Sequence, residues 1–191
     1  MTLPMILTVG RIPLAPVFFL LFRLAGNGHP VIVLFVWIVF LVIEVSDLLD
    51  GYLARRLGQE SELGKVLDPL ADTLCRLTYF IALAGAGIFP LWMLLVLVYR
   101  DFAVAYIRVA VSRAGVMMAA RITGKLKAWV YAIAAGGGIL VFSLRSLGWL
   151  GAWLPALEWL SFGLFLAAVG IAAWSFVDYA VFFVKNFGKT S

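Results

Sequence analysis

Four aspartates, Asp47, Asp50, Asp68 and Asp72, stand out in a chain of 191 residues that is 64% hydrophobic and only 13% charged. The first two are three residues apart and the last two four apart, so each pair shares one face of a helix. Held together without cations, such carboxylates repel one another and lose hydration, at a cost on the order of several kcal/mol per ion. Divalent cations remove that cost. The chain has one histidine, His29, and one cysteine, Cys75. The expected site is therefore all-oxygen and suited to Mg²⁺ or Mn²⁺, not to zinc or histidine chemistry. Gly51 and Ala54 fall on the face of Asp47 and Asp50, where small side chains leave room for a ligand against the backbone. Arg55 lies next to that face and suits a bidentate phosphate contact. Two metals roughly 3.5–4 Å apart stabilise the attacking and leaving oxygens of an in-line displacement at phosphorus. The residues point to metal-assisted phosphoryl transfer at a membrane surface.

The elements that position these groups have to fold in lipid. Mean hydropathy is +1.07, and a soluble domain carries about 25% charged residues, so the chain reads as an integral membrane protein. No polar region is long enough to fold separately, which predicts one domain over residues 1–191. A spanning helix needs roughly 20 mostly apolar residues. Six stretches qualify, about 5–25, 31–52, 64–88, 90–113, 122–145 and 156–184, predicting an all-α fold of six transmembrane helices. Turn residues mark the breaks, as in Gly26-Asn27-Gly28-His29-Pro30. Pro4, Arg11, Pro13 and Pro16 interrupt the first stretch, which argues against a cleavable signal peptide. The same interruption predicts a short interfacial helix ahead of the first span.

Basic residues orient the bundle. Arg55, Arg56, Lys65, Arg113, Arg121, Lys125, Lys127, Lys185 and Lys189 fall at the second-to-third turn, the fourth-to-fifth turn and the C-terminus. The opposite loops hold only Arg23 and Arg145. The positive-inside rule then places both termini and the aspartates on the cytoplasmic side of the inner membrane. The net charge of +5 fits membrane lipids as partners, with no nucleic acid.

Bland readings compete. The aspartates could pair with nearby arginines as a helix-end salt network, but they outnumber the cations on those faces. A divalent-cation transporter or channel would space its acidic groups across the membrane, whereas these cluster at one end. Glu44, one turn before Asp47, either supports the cluster or is satisfied by packing. Asp101 adjoins Arg100 and reads as paired, Asp178 as locally paired, and Glu60 and Glu62 as solvated.

The full spacing, D-x2-D-G-x2-A-R-x8-G-x3-D-x3-D, resembles the signature of the CDP-alcohol phosphotransferases at all eight fixed positions. With the six-stretch pattern, the resemblance covers nearly the whole chain. It implies a helical, usually homodimeric membrane enzyme with two bound metals. Such an enzyme transfers a phosphatidyl-type group from a CDP-linked lipid and releases CMP. It casts Asp47 and Asp68 as ligands of both metals, Asp50 as a ligand of the first and Asp72 of the second. Asp72 is also cast as the base that deprotonates the acceptor. Gly51, Ala54, Arg55 and Ser61 would surround the CDP group. Thr8, in a stretch resembling the family's Pro-Asn-x-x-Thr with Met5 in place of Asn, would line the nucleotide pocket.

The second half resembles bacterial members whose acceptor is glycerol 3-phosphate, through Arg100-Asp101, Arg108, and Gly124-Lys125-Leu126-Lys127. Arg108, Arg121, Lys125 and Lys127 could form a cationic pocket for a phosphate monoester, or touch anionic lipid headgroups. Arg108 falls within an apolar span and is expected to face a cavity. Thr73 stands where those members have Lys, which keeps inositol phosphate, phosphatidylglycerol and serine open as acceptors. The donor implied is CDP-diacylglycerol.

Overall fold

Long apolar stretches alternating with glycine-bearing breaks give six helices. In a computed structural model of the chain these are α1 (Leu3–Ala25), α2 (Pro30–Leu57), α3 (Glu62–Gly85), α4 (Leu91–Arg113), α5 (Ile122–Ser146) and α6 (Leu154–Phe187). The structure describes residues 3–57, 62–113, 122–149 and 151–187. It describes the backbone alone at 3–4, 51–55, 57, 62–63, 65–66, 112–113, 122–125 and 186–187. No strand occurs among the described residues.

α1, α2, α5 and α6 are long and apolar enough to cross a membrane. α3 and α4 carry ionisable groups along their length: Asp68, Asp72 and Arg76 on one, Arg100, Asp101 and Arg108 on the other. The first helix corrects one expectation. No separate interfacial helix precedes it; α1 runs unbroken through Pro13 and Pro16. Each proline removes one backbone hydrogen bond. In lipid, however, the helix remains the only way for this segment to satisfy its other polar groups.

The packing divides into two trios. α1 packs against both α2 and α3, and α6 packs against both α4 and α5. α3 joins the trios through α4 and α5, and α2 also touches α5. Aromatic pairs fill the core: Phe18 meets Tyr79 edge-on at 4.7 Å, Phe22 stacks on Phe142 at 3.8 Å, and Phe89 stacks on Phe165 at 4.0 Å. The seam between trios is tight because α5 presents glycines there. A Cβ on Gly138 would lie 3.0 Å from Leu83 of α3 and 3.1 Å from Phe165 of α6. Leu20, Leu34, Leu41, Leu160 and Leu166 are exposed on the outside of the bundle, as a lipid-facing surface requires.

The turns at one end are closed by glycine caps. After α3, Ile88 N–H donates to the Leu83 carbonyl and Gly87 N–H to that of Ala84, both at 3.0 Å, with Gly87 at φ +71°. Gly148 repeats the pattern after α5. Both are αL caps that satisfy the last helical carbonyls. Gly28 is more constrained: its φ is +77°, and an added Cβ would lie 2.8 Å from the Ser146 carbonyl oxygen. Gly28→Ala is therefore expected to destabilise the protein by about 1–3 kcal/mol. The measurement is the melting temperature of the purified protein in detergent; an unchanged value contradicts the close approach.

Candidate functional site

The first turns of α1, the last turns of α2 and the first turns of α3 meet at the end of the bundle opposite the glycine caps. Thr8 and Arg11 lie one turn apart on α1 and so share a face. The Thr8 hydroxyl is 3.1 Å from Asp50 Oδ2 and 3.1 Å from Asp68 Oδ1, and donates its one proton to either. Arg11 stands at the centre. Its Nη1 donates to Asp47 and lies 3.7 Å from Asp72 Oδ1. Its Nη2 donates to Asp50 Oδ2 at 2.6 Å and to Asp68 Oδ1 at 3.2 Å. One guanidinium thus touches all four carboxylates, and its side chain is only 1% exposed.

A second cation closes the cluster from α3. Arg76 Nη1 is 3.0 Å from Asp72 Oδ2, one turn away, and its Nη2 is 3.7 Å from Asp47 Oδ2. Access is one-sided: Asp50 is 3% exposed, whereas Asp68 is 47% exposed. The structure brings the four aspartates together, with two guanidiniums among them. Arg11, expected on an interfacial segment, stands on α1 against the acids of α2 and α3. The Thr8-x-x-Arg11 spacing puts a hydroxyl and a guanidinium on one helix face, but says nothing of the helices they meet. Part of the salt-network reading is therefore real.

Among the described residues the salt network does not balance the cluster: four carboxylates meet two guanidiniums, Arg11 and Arg76. Uncompensated carboxylates in a partly dehydrated site are a hard-oxygen donor set, which fits a divalent cation of the magnesium type. Arg11 occupies the point where the four oxygens converge, and the cationic group there takes the part such an ion would take. Among the described residues no group of three or more His, Cys, Asp or Glu side chains is placed to hold a metal ion with Arg11 in this position.

A second polar cluster lies on α4, α5 and α6. Lys127, 8% exposed, donates to Asp101 and sits 4.5 Å from the centre of the Tyr131 ring. Arg100 pairs with the same carboxylate at 2.9 Å and donates to the Ser175 hydroxyl. Arg108 donates to the Tyr179 hydroxyl at 2.6 Å and its guanidinium lies 5.1 Å from that ring's centre. Its side chain is exposed. Arg76 lies within Coulombic reach of Asp101 as well as of Asp47 and Asp72, and so stands between the two clusters. Asp101 is paired, as its sequence neighbours suggest.

The remaining predicted site residues are only partly placed. Gly51, Ala54 and Arg55 continue α2 beyond Asp50, and Lys125 lies in the first turn of α5, two residues before Lys127; for these only the backbone is described. Ser61 and Arg121 lie outside the described residues.

Comparison with known proteins gives consistent matches. A family model for CDP-alcohol phosphatidyltransferase matches residues 1–166. The protein named "CDP-diacylglycerol--glycerol-3-phosphate 3-phosphatidyltransferase" from Bacillus subtilis is 34% identical over 147 residues, covering 72% of this chain and 76% of its own length. A protein of the same name from Treponema pallidum is 31% identical over 156 residues, covering 81% and 72%. A "Cardiolipin synthase (CMP-forming)" from Streptomyces coelicolor is 41% identical over a shorter 101 residues, covering 53% of this chain and 47% of its own length.

Proposed function

Because this chain belongs to the CDP-alcohol phosphatidyltransferase family, we propose that it transfers the phosphatidyl group of CDP-diacylglycerol to glycerol 3-phosphate. The products are phosphatidylglycerophosphate and CMP. The observation that carries this reading is the convergence of Asp47, Asp50, Asp68 and Asp72 on one guanidinium, with four carboxylates against two guanidiniums among the described residues. The acceptor follows from the names of the Bacillus and Treponema relatives, which match most of the chain.

The chemistry divides among the residues as follows. Asp47, Asp50, Asp68 and Asp72 would hold two divalent cations, Mg²⁺ or Mn²⁺. Such ions neutralise the diphosphate and stabilise the departing CMP. Asp72 takes the proton from the glycerol 3-phosphate hydroxyl. That oxygen forms a bond to the lipid-linked β-phosphorus, and the bond from this phosphorus to the bridging oxygen of CMP breaks. Gly51 and Ala54 leave space for the CDP group, Arg55 and Ser61 bind it, and Thr8 lines its pocket. Lys127, Lys125, Arg121 and Arg108 attract the acceptor's phosphate.

We read all six helices as spans, with both termini and the site at the cytoplasmic face of the inner membrane. The whole chain acts as one domain within a homodimer. The uneven distribution of Lys and Arg supports the orientation.

One observation favours a second acceptor. The shorter match to a cardiolipin synthase points to phosphatidylglycerol, and Asp101 already neutralises part of the charge around Lys127. The test is CMP release from CDP-diacylglycerol by the purified protein, with glycerol 3-phosphate, phosphatidylglycerol, inositol 1-phosphate and serine in parallel. Glycerol 3-phosphate is expected to support turnover well above the others, and a chelator to abolish it until Mg²⁺ or Mn²⁺ is restored. Faster turnover with phosphatidylglycerol overturns the acceptor. Undiminished turnover in chelator overturns the metal-assisted reading.

A further inference from the structure

At the end of the bundle away from the aspartates, α1, α3 and α5 enclose a cavity of about 360 Å³, within the usual range for a small-ligand pocket. Arg23 and Arg145 stand in its wall beside Ser146, and Phe22 and Phe142 close its floor. Twelve residues of helix separate Arg23 from Arg11, or about 18 Å along the axis. The cavity is therefore separate from the carboxylate site.

The two arginines have different duties. Arg145 donates to the Ala86 carbonyl at 3.2 Å and pairs with Glu158 at 2.7 Å, so it ties α5 to its neighbours. An arginine in a last turn also complements its helix dipole, and that alone could explain either residue. Arg23, however, pairs with no carboxylate among the described residues. Two guanidiniums against the single Glu158 leave the pocket cationic.

The surroundings say what kind of anion suits it. Trp149, Trp153 and Trp159 are exposed at this end, as in the aromatic belts that mark the headgroup level. Leu20, one turn before Arg23 on the same face of α1, is 62% exposed, and the adjoining Leu24 is 52% exposed. A charged pocket at headgroup depth thus opens beside an apolar track running toward the middle of the bilayer.

We propose that this cavity binds the phosphate headgroup of an anionic phospholipid from the leaflet opposite the carboxylate site, with an acyl chain lying along Leu20 of α1. The proposal does not depend on the transferase reading.

The test uses the full chain in nanodiscs and a phosphatidylglycerol carrying a photoreactive headgroup, with cross-links located by peptide mass spectrometry. Labelling at residues 22–26 and 142–146 is expected, with little from a zwitterionic phosphatidylcholine probe of the same design. Arg23→Gln should weaken labelling about tenfold, the loss of one charge-assisted contact, while Arg23→Lys keeps most of it. The label sits far from the aspartates, so binding of substrate or product at the other site does not confuse the readout. Equal labelling by the zwitterionic probe, or labelling unchanged in Arg23→Gln, overturns the proposal. Complete displacement by free inorganic phosphate overturns the lipid source of the headgroup. Arg23 is exposed, and a melting temperature equal to that of wild type confirms that the variant is folded.

Discussion

Asp72→Asn is expected to reduce CMP release at least about a thousandfold while leaving a folded protein that still binds CDP-diacylglycerol. The amide keeps the shape of the carboxylate and can still accept from Arg76, whose Nη1 lies 3.0 Å away. Its partial exposure, 31%, means that the amide's own donors find water instead of being buried unpaired. What disappears is the negative charge and the capacity to take a proton. Loss of a general base alone costs about a hundred- to ten-thousandfold, and the same change removes one oxygen ligand from the cation site. Asp47, Asp50 and Asp68 remain to hold the cations through which the donor's diphosphate would bind. Turnover is measured as CMP formed per enzyme, and binding by retention of a fluorescent CDP-lipid. Activity within tenfold of wild type refutes the assignment of Asp72 as base.

Arg11→Met is expected to separate the structural role of the carboxylate cluster from its chemistry. In the wild type, one nearly inaccessible guanidinium contacts all four acids. Methionine fills similar volume without charge, leaving Arg76 as the paired cation among the described residues. Breaking such a buried pairing costs about 3–5 kcal/mol, equivalent to a fall of roughly 10 °C in melting temperature for a chain of this size. The fall should appear in chelator and largely vanish in saturating Mg²⁺, because the ion would then supply the missing charge. Binding of Mn²⁺, followed by electron paramagnetic resonance, should tighten in the variant, since the ion no longer competes with a resident guanidinium. Equal melting temperatures in chelator would show that the cluster does not need Arg11. Equal Mn²⁺ affinities would show that the two cations do not compete.

The contrast between Asp72 and Arg11 shows what the sequence could and could not disclose. The aspartates declare themselves because spacings of three and four on apolar helices have one geometric meaning. Arg11 does not, because its partners lie on other helices and periodicity within α1 carries no information about which neighbours it meets. The helix limits were legible to within a few residues, and the differences have local causes. α2 runs on to Leu57 because Arg55 and Arg56 are good helix formers that tolerate water. α3 stops at Gly85 because Gly87 adopts the left-handed conformation that caps it. Lys127 was ambiguous for another reason. A lysine near the end of a span reads alike whether it touches lipid, substrate or protein, and only the approach of Asp101 from α4 shows that the protein buries it.

The seam at Gly138 has a mechanical consequence. The acids stand on α2 and α3, whereas Arg108 and Lys127 stand on α4 and α5, and tight glycine contacts press the two trios together. A bulkier residue at Gly138 would press on Leu83 of α3 and on Phe165 of α6 at once, and so move α5 away from α3. Reach between the reacting molecules would lengthen even though no reacting group had changed. On the proposed division of donor and acceptor between the two trios, their separation is set by glycines that touch neither one.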